Sequence, residues 1–350
     1  MSSVSRLDPA SGSSALELAM RSAIAASEGV RGFTSPNPPV GCLIVDASGK
    51  PVGFGGTQPP GQAHAEVVAL RMAGAAARGG TAFVTLEPCA HHGRTPPCVD
   101  ALLKAGIVQV YYAVDDPSPV ASGGAQRLRE AGVTVHSGLL AEQVRTGPLR
   151  AWLHRVRTGR PHVTWKFASS VDGRLSASDG TSRWISSPEA RAEVHELRLK
   201  VDAVIVGTGT VLADDPQLIS RPPVNETATR QPLRVVVGER DIPAGARVLD
   251  DAAETIHLRT RDPREVLAAL TERGVVDVLL EGGAKLAGAF WEAGVVDRAL
   301  VYMAPMLLGA GTPVLGEIGV GTIGDALPLM FESATMIGPD VRISAVPAPE

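Results

Sequence analysis

Three cysteines in 350 residues are too few and too odd in number for a disulfide scaffold, so the chain is expected in a reducing compartment, the cytoplasm. Basic residues are not in excess: 33 Lys and Arg stand against 37 Asp and Glu, a net charge of −4. That removes the global positive field a nucleic-acid binder relies on. No apolar run approaches the roughly 18 residues of a membrane span, and no apolar signal segment follows the Ser/Ala/Gly-rich opening, Met1–Ser14. Neither nucleic acid nor membrane is therefore an expected partner. No internal repeat relates the two halves. The chain is 44% hydrophobic and 20% charged, and its length favours two domains with separate cores.

Apolar, β-branched runs alternate with helical patterns along the first half. Residues 40–45, 82–86, 108–114 and 133–136 read as strands, and 16–27, 65–77, 99–104 and 126–131 as helices. Such alternation predicts an α/β fold with a parallel or mixed sheet covered on both faces. A break near Thr146-Gly147-Pro148 is followed by a short connecting helix over 149–157, ended before Pro161. A second series follows, with strands at 162–167, 203–206, 233–237, 255–258, 278–280 and 299–303, and helices at 188–200, 263–273 and 285–292. The end reads as an antiparallel pair, 329–337 and 341–346, split by Gly338-Pro339. The stretch 221–232 reads as an exposed loop. The expected organisation is a disordered 1–14, a first domain over 15–147, a linker over 148–161 and a second domain over 162–350.

His64-Ala65-Glu66, followed by Pro88-Cys89 and Cys98, carries the chemistry. One imidazole and two thiolates are three zinc ligands, and a catalytic site leaves the fourth position for water. Glu66 is not needed as a ligand and suits proton transfer beside that water. H-x-E followed by P-C-(x)n-C is the pattern of zinc deaminases acting on amino-substituted heterocycles. The competing reading is a closed structural zinc site completed by His91 or His92. Cys42, inside an apolar strand, reads as core. Each tripeptide is common by chance; their order and their strand–helix context make the joint signal strong.

The segments Thr34-Ser35-Pro36-Asn37-Pro38-Pro39-Val40-Gly41, His64-Ala65-Glu66-Val67 and Thr85-Leu86-Glu87-Pro88-Cys89-Ala90-His91-His92-Gly93-Arg94-Thr95-Pro96-Pro97-Cys98 resemble the bifunctional riboflavin-biosynthesis deaminase/reductases. The second half resembles the reductase part of that family in Lys166–Arg174, Trp184–Ser187, Gly209–Pro216 and Glu281-Gly282-Gly283. The resemblance implies a cytidine-deaminase-like three-layer α/β/α domain followed by a dihydrofolate-reductase-like α/β domain. It implies deamination of 2,5-diamino-6-(5-phosphoribosylamino)pyrimidin-4(3H)-one, then NADPH-dependent reduction of the ribosyl side chain to ribityl. One zinc would be held by His64, Cys89 and Cys98, with Glu66 as proton shuttle and Asn37, His91 and Arg94 on the substrate. Thr57 stands where the family often has histidine, and Asp116-Pro117-Ser118-Pro119 departs from the family's D-P-N-P.

No complete dinucleotide fingerprint exists in the second half. In Gly207-Thr208-Gly209-Thr210-Val211-Leu212, Leu212 occupies the third glycine position of G-x-G-x-x-G, and the segment alone reads as a tight turn. Leu280-Glu281-Gly282-Gly283 is a second strand-to-helix candidate. The resemblance sets NADPH against Ala168, Trp184, Thr210, Asp214 and Gly283. It sets the sugar-phosphate substrate against Ser182, Arg198, Leu218, Arg221 and Glu281, and suggests a homodimer through the second domain. Lys285 is either a ligand of the cofactor's 2′-phosphate or simply exposed. The alternatives are a nucleoside or tRNA deaminase with a non-catalytic nucleotide-binding C-terminal domain, and a zinc-stabilised binding module.

Overall fold

The structure is a computed structural model that describes residues 9–91, 96–118, 122–221 and 230–349. It divides into two compact units, Met1–Thr158 and Gly159–Glu350.

The first unit is built on a five-stranded mixed sheet. Strands β1 (Gly41–Val45), β2 (Pro51–Gly56), β3 (Thr81–Leu86), β4 (Gln109–Val114) and β5 (Thr134–Ser137) lie in the order β2-β1-β3-β4-β5. β1 pairs antiparallel with β2 and β3, whereas β3, β4 and β5 are parallel. Helices α1 (Pro9–Gly29) and α2 (Ala65–Ala73) press on opposite faces of the β1/β2 edge, and glycines show how closely. A Cβ on Gly41 would stand 1.9 Å from the Ala23 carbonyl oxygen of α1, and one on Gly53 2.2 Å from that of Ala69 in α2. Helices α3 (Cys98–Ala105), α4 (Gly124–Glu130), α5 (Ala141–Thr146) and α6 (Arg150–Thr158) complete the unit.

Two expectations need correction here. Residues 9–14, expected to be disordered, are the first turns of α1; Pro9 opens the helix, where its missing N–H costs nothing. Met1–Asp8 lie outside the described residues. The expected linker 148–161 is mostly α6, and Leu149 and Trp152 are buried, so this segment belongs to the first unit's core. The loop expected over 221–232 lies mainly outside the described residues.

The second unit carries an eight-stranded sheet. Its strands are β6 (His162–Ser170), β7 (Ala203–Gly207), β8 (Leu233–Val237), β9 (Thr255–Leu258), β10 (Asp277–Leu280), β11 (Arg298–Ala304), β12 (Leu329–Ile337) and β13 (Asp340–Pro347). They lie in the order β12-β13-β11-β6-β10-β7-β8-β9, parallel from β11 to β9, with β13 and β12 added antiparallel. Helices α7 (Pro188–Lys200), α8 (Thr208–Asp214), α9 (Pro263–Glu272) and α10 (Ala284–Glu292) connect the parallel strands. Alternate residues feed two cores: Ala203, Ile205, Val235, Val237, Val278 and Leu280 enter one, and Val204, Val206, Val236 and Leu279 the other. Continuous apolar strands are what a parallel sheet buried on both faces requires.

Candidate functional sites

In the first unit the strand–helix junctions converge. His64 is the N-cap of α2, with φ −73° and ψ 162°, and Glu66 follows in its first turn. Cys98 is the first residue of α3, and Cys89 lies just past the end of β3. His64 Nδ1 is 3.1 Å from Cys98 Sγ and 3.6 Å from Cys89 Sγ. The three ligand atoms lie within 4.8 Å of one another, and they form the single such group among the described residues. One imidazole nitrogen and two sulfurs so placed fit zinc. The backbone N–H of Cys98 donates to Cys89 Sγ at 3.3 Å, which orients that sulfur.

The electrostatics separate the two sulfurs. The Cys98 thiol, hydrogen-bonded to Cys89, outweighs burial and draws Cys89 well below the ordinary thiol value. Cys98 itself is pushed up by that bond and by burial. Burial, then the negative charge of Cys89, raises the Glu66 carboxyl to about 7.

A cavity of about 450 Å³ opens over these residues, lined among others by Asn37, Thr57, Gln62, His64, Glu66, Cys89 and His91. Asn37 and His91 are thus brought to the same cavity as the zinc-ligand set. Buried His91 Nδ1 has no hydrogen-bond partner among the described residues, leaving it open to a ligand. Arg94 and His92 lie outside the described residues. His91 is not part of the metal group, and Cys42 is fully buried on β1, away from it.

Sequence reasoning missed Glu87 and Trp152 in this cavity. Glu87 is buried and accepts from the N–H of Ala125 at 2.9 Å and of Asp116 at 3.3 Å, tying the β4–α4 connection to the cavity wall. Its signal is its place immediately before Pro88-Cys89. Trp152 has none, because local pattern marks α6 only as a connection.

The second unit has a cavity of about 600 Å³ at the carboxyl ends of its parallel strands, where open α/β sheets bind ligands. Of the ten residues expected there, it gathers eight: Ser182, Trp184, Arg198, Thr210, Asp214, Leu218, Arg221 and Glu281. Gly283 is not on the wall, although a Cβ there would stand 3.9 Å from Thr210 Oγ1. Ala168 is half-buried on β6 and packs beside Tyr302 and Val194 instead. The Gly-Thr-Gly segment read as a tight turn is the entry into α8, which carries Thr210 and Asp214.

At the floor, Arg198 and Glu281 meet edge to edge, Nε to Oε1 at 2.7 Å and Nη2 to Oε2 at 2.9 Å. Burial opposes ionisation of Glu281, but Arg198, and after it Lys166, hold the carboxyl down at about 2. Burial lowers the Lys166 ammonium, with Glu281 opposing. Lys166 was missed as a wall residue; its signal is a lone charge within the apolar strand β6. His195 was missed too: its Nδ1 lies 3.1 Å from the Ile219 carbonyl oxygen. Arg221 reaches Gln217 Oε1 at 3.2 Å, and Gln217 Nε2 donates to Asp250 Oδ2 at 2.6 Å. Asp250 is in turn held by the fully buried Arg234 at 2.6 Å, so β8 anchors the cavity's outer loop. The Trp184 ring is 67% exposed, with the Arg191 guanidinium 4.5 Å from its centroid.

Comparison with known proteins matches both units. Residues 13–114 match the family described as the cytidine and deoxycytidylate deaminase zinc-binding region, and residues 161–343 match the RibD C-terminal domain. The riboflavin biosynthesis protein RibD of Mycobacterium tuberculosis (strain CDC 1551 / Oshkosh) is 56% identical over 331 residues, covering 95% of this chain and 97% of that protein. The Acinetobacter baumannii RibD structure (form 1) superposes with a TM-score of 0.85 at 34% identity, covering 96% of this chain and 100% of that one. The diaminohydroxyphosphoribosylaminopyrimidine deaminase/5-amino-6-(5-phosphoribosylamino)uracil reductase from Thermotoga maritima does so with a TM-score of 0.87 at 31% identity, with the same coverages. A zinc-binding deaminase region and a reductase domain in one chain, matched along nearly its whole length, place the protein in the RibD family of bifunctional deaminase/reductases of riboflavin biosynthesis.

Proposed function

We propose that the first unit deaminates 2,5-diamino-6-(5-phosphoribosylamino)pyrimidin-4(3H)-one and that the second reduces the ribosyl side chain of the product to ribityl with NADPH. The observation that carries this reading is the zinc-type ligand set with a buried carboxyl in one cavity, in a chain that also has an Arg- and Lys-lined cavity at parallel-strand ends.

His64, Cys89 and Cys98 are assigned to zinc, which when bound supplies a Lewis acid that activates water at neutral pH. Water adds to the ring carbon bearing the amino group, and ammonia leaves. Glu66, buried in the first turn of α2 beside the ligand set, is the carboxyl placed to accept and release a proton there. It takes one from the attacking water and passes one to the departing nitrogen. Asn37, and His91, whose Nδ1 has no partner among the described residues, are assigned to the substrate, with Arg94 from the same insert.

In the second unit Trp184, Thr210, Asp214 and the backbone at Gly283 are assigned to NADPH, together with Ala168. Bound NADPH supplies the hydride. Ser182, Leu218 and Glu281 orient the sugar chain, while Arg198 and Arg221 offer charge-assisted bonds to its phosphate. We further propose a cytoplasmic location, consistent with three unpaired cysteines, and a homo-oligomer through the second unit. Edge strand β12 exposes Phe331 and Met336, which fits such a contact. A monomer at micromolar concentration in sedimentation equilibrium would remove the oligomer. No helix among the described residues is long and apolar enough to cross a membrane.

The test is a coupled assay on the purified, zinc-loaded chain, following ammonia and nicotinamide absorbance together. Ammonia release should precede NADPH oxidation one to one. Glu66→Gln should stop both while zinc content stays at one per chain. NADPH left unoxidised by the deaminated product would sink the reductase assignment.

A further inference from the structure

Trp152 borders the zinc-type cavity but has no part in the chemistry assigned above. It is the one tryptophan of the first unit; Trp165, Trp184 and Trp291 belong to the second. Leu149 is completely buried just before α6, and Trp152, three residues on, is buried in the helix's first turn. The start of α6 is held firmly. The Leu149 N–H donates to the Val144 carbonyl at 3.1 Å, and Arg150 Nε to the Thr146 carbonyl at 2.8 Å. Val144 and Thr146 lie on α5, which is tied in turn to α1: Arg21 Nη1 donates to Gln143 Oε1 at 3.0 Å. The chain leaving α1 then forms the Pro36-Asn37-Pro38 wall of the same cavity. Trp152 is therefore anchored on the α1 side of the sheet. His64 and Glu66 come from α2, which presses on the opposite face, and Cys98 starts α3, which packs on α2. The cavity thus lies between the metal group on one side and Trp152 with the Asn37 segment on the other.

A substrate deaminated there is a flat heterocycle whose reacting carbon must lie at the metal group and Glu66. Its edges carry donors and acceptors, which Asn37 and His91 can meet, but its two faces have only π surface to offer. Among the described residues lining the cavity, Trp152 is the one Phe, Tyr or Trp. An indole fixed by a buried helix start is a large, rigid, apolar plane, and a base gains affinity by stacking on such a plane whatever its edge pattern. Resting on the deamination proposed above, we propose that Trp152 is a substrate-binding residue of the first unit. Its indole packs against the face of the pyrimidine ring and holds the reacting carbon toward the metal group. It moves no proton and meets no developing charge, so its contribution is binding common to the ground and transition states. Such a contribution is read in KM rather than in kcat.

The experiment compares the zinc-loaded full chain as wild type, Trp152→Leu and Trp152→Phe. Ammonia release is followed against substrate concentration, and tryptophan fluorescence is titrated with the deaminated product. Trp152→Leu keeps an apolar side chain but no ring; it should raise KM for deamination about tenfold or more, with kcat within about twofold. Trp152→Phe keeps a ring and should hold KM within about threefold of wild type. Part of the quenching seen in wild type should be missing from Trp152→Phe; Trp184, which borders the other cavity, accounts for the remainder. Zinc content, and NADPH oxidation with added deaminated product, should be alike in all three, which separates a lost contact from a damaged fold. An unchanged KM in Trp152→Leu would overturn the proposal, and so would a fall in kcat alone, the mark of a structural role. Equal losses in the Leu and Phe variants would mean that the indole N–H, not the ring face, meets the substrate, and would overturn stacking. Quenching identical in wild type and Trp152→Phe would overturn it too, and this readout decides even where Trp152→Leu does not fold. Wild-type protein that releases no ammonia would instead remove the deaminase reading on which the proposal rests.

Discussion

Replacing Arg198 with leucine tests whether the ion pair at the reductase floor also stabilises its unit. The guanidinium and the Glu281 carboxylate are joined by two bonds, with side chains only 14% and 10% exposed. Removing one partner of a buried pair costs about 3–5 kcal/mol, because the other charge is left without its counter-charge. Lys166 remains near Glu281 in the variant, which favours the low end, about 3 kcal/mol. The titration of Glu281 gives the same scale. Its carboxyl sits at about 2 against an ordinary 4.5, and each pH unit is worth about 1.4 kcal/mol. Since the folded value lies below the unfolded one, the stabilisation is complete above pH 4.5 and fades as pH falls toward 2.

Urea unfolding read by tryptophan fluorescence reports largely on this unit, which holds Trp165, Trp184 and Trp291. At pH 7 the midpoint of Arg198→Leu should fall by roughly 1–2 M for an m-value near 2 kcal/mol/M. At about pH 3.5 the gap to wild type should be roughly halved, one pH unit below the unfolded value. An unchanged midpoint at pH 7, or a gap as wide at pH 3.5 as at pH 7, would refute the reasoning.

Three further outcomes are expected. Cys98→Ser should release zinc at chelator concentrations that leave wild type loaded, measured by metal analysis after dialysis; unchanged retention would remove Cys98 from the ligand set. Gly41→Ala should destabilise the first unit by about 3 kcal/mol or more, because its Cβ would stand 1.9 Å from the Ala23 carbonyl oxygen of a packed helix. Thermal unfolding checks this, and an unshifted transition would mean that α1 can move aside. Arg221→Ala should raise KM for the deaminated substrate about tenfold or more and leave NADPH affinity nearly unchanged; equal losses would contradict its phosphate role.

The zinc group was legible in the sequence because its chemistry is local. His64 and Cys98 both start helices, Cys89 ends a strand exit, and three short segments suffice to bring them together. The parallel strands were legible for a related reason. Burial on both faces makes β7, β8 and β10 unbroken apolar runs, whose boundaries show in any hydropathy reading.

What escaped was set by tertiary contact. Pro51-Val52-Gly53-Phe54-Gly55-Gly56 has the composition of a loop, yet it is β2. Its glycines are there because α1 and α2 press on its two faces, a fact about neighbours rather than about the segment. Trp152 belongs to a helix that local pattern marks only as a connection, since the cavity it lines is assembled largely from residues far earlier in the chain. Lys166 shows the converse. A single charge within a buried strand breaks the hydrophobic rule, and such a break points to a site where a counter-charge is supplied from elsewhere; here it comes from Glu281, on the neighbouring strand's exit. The residues that the sequence hid are therefore those whose meaning depends on a partner distant along the chain.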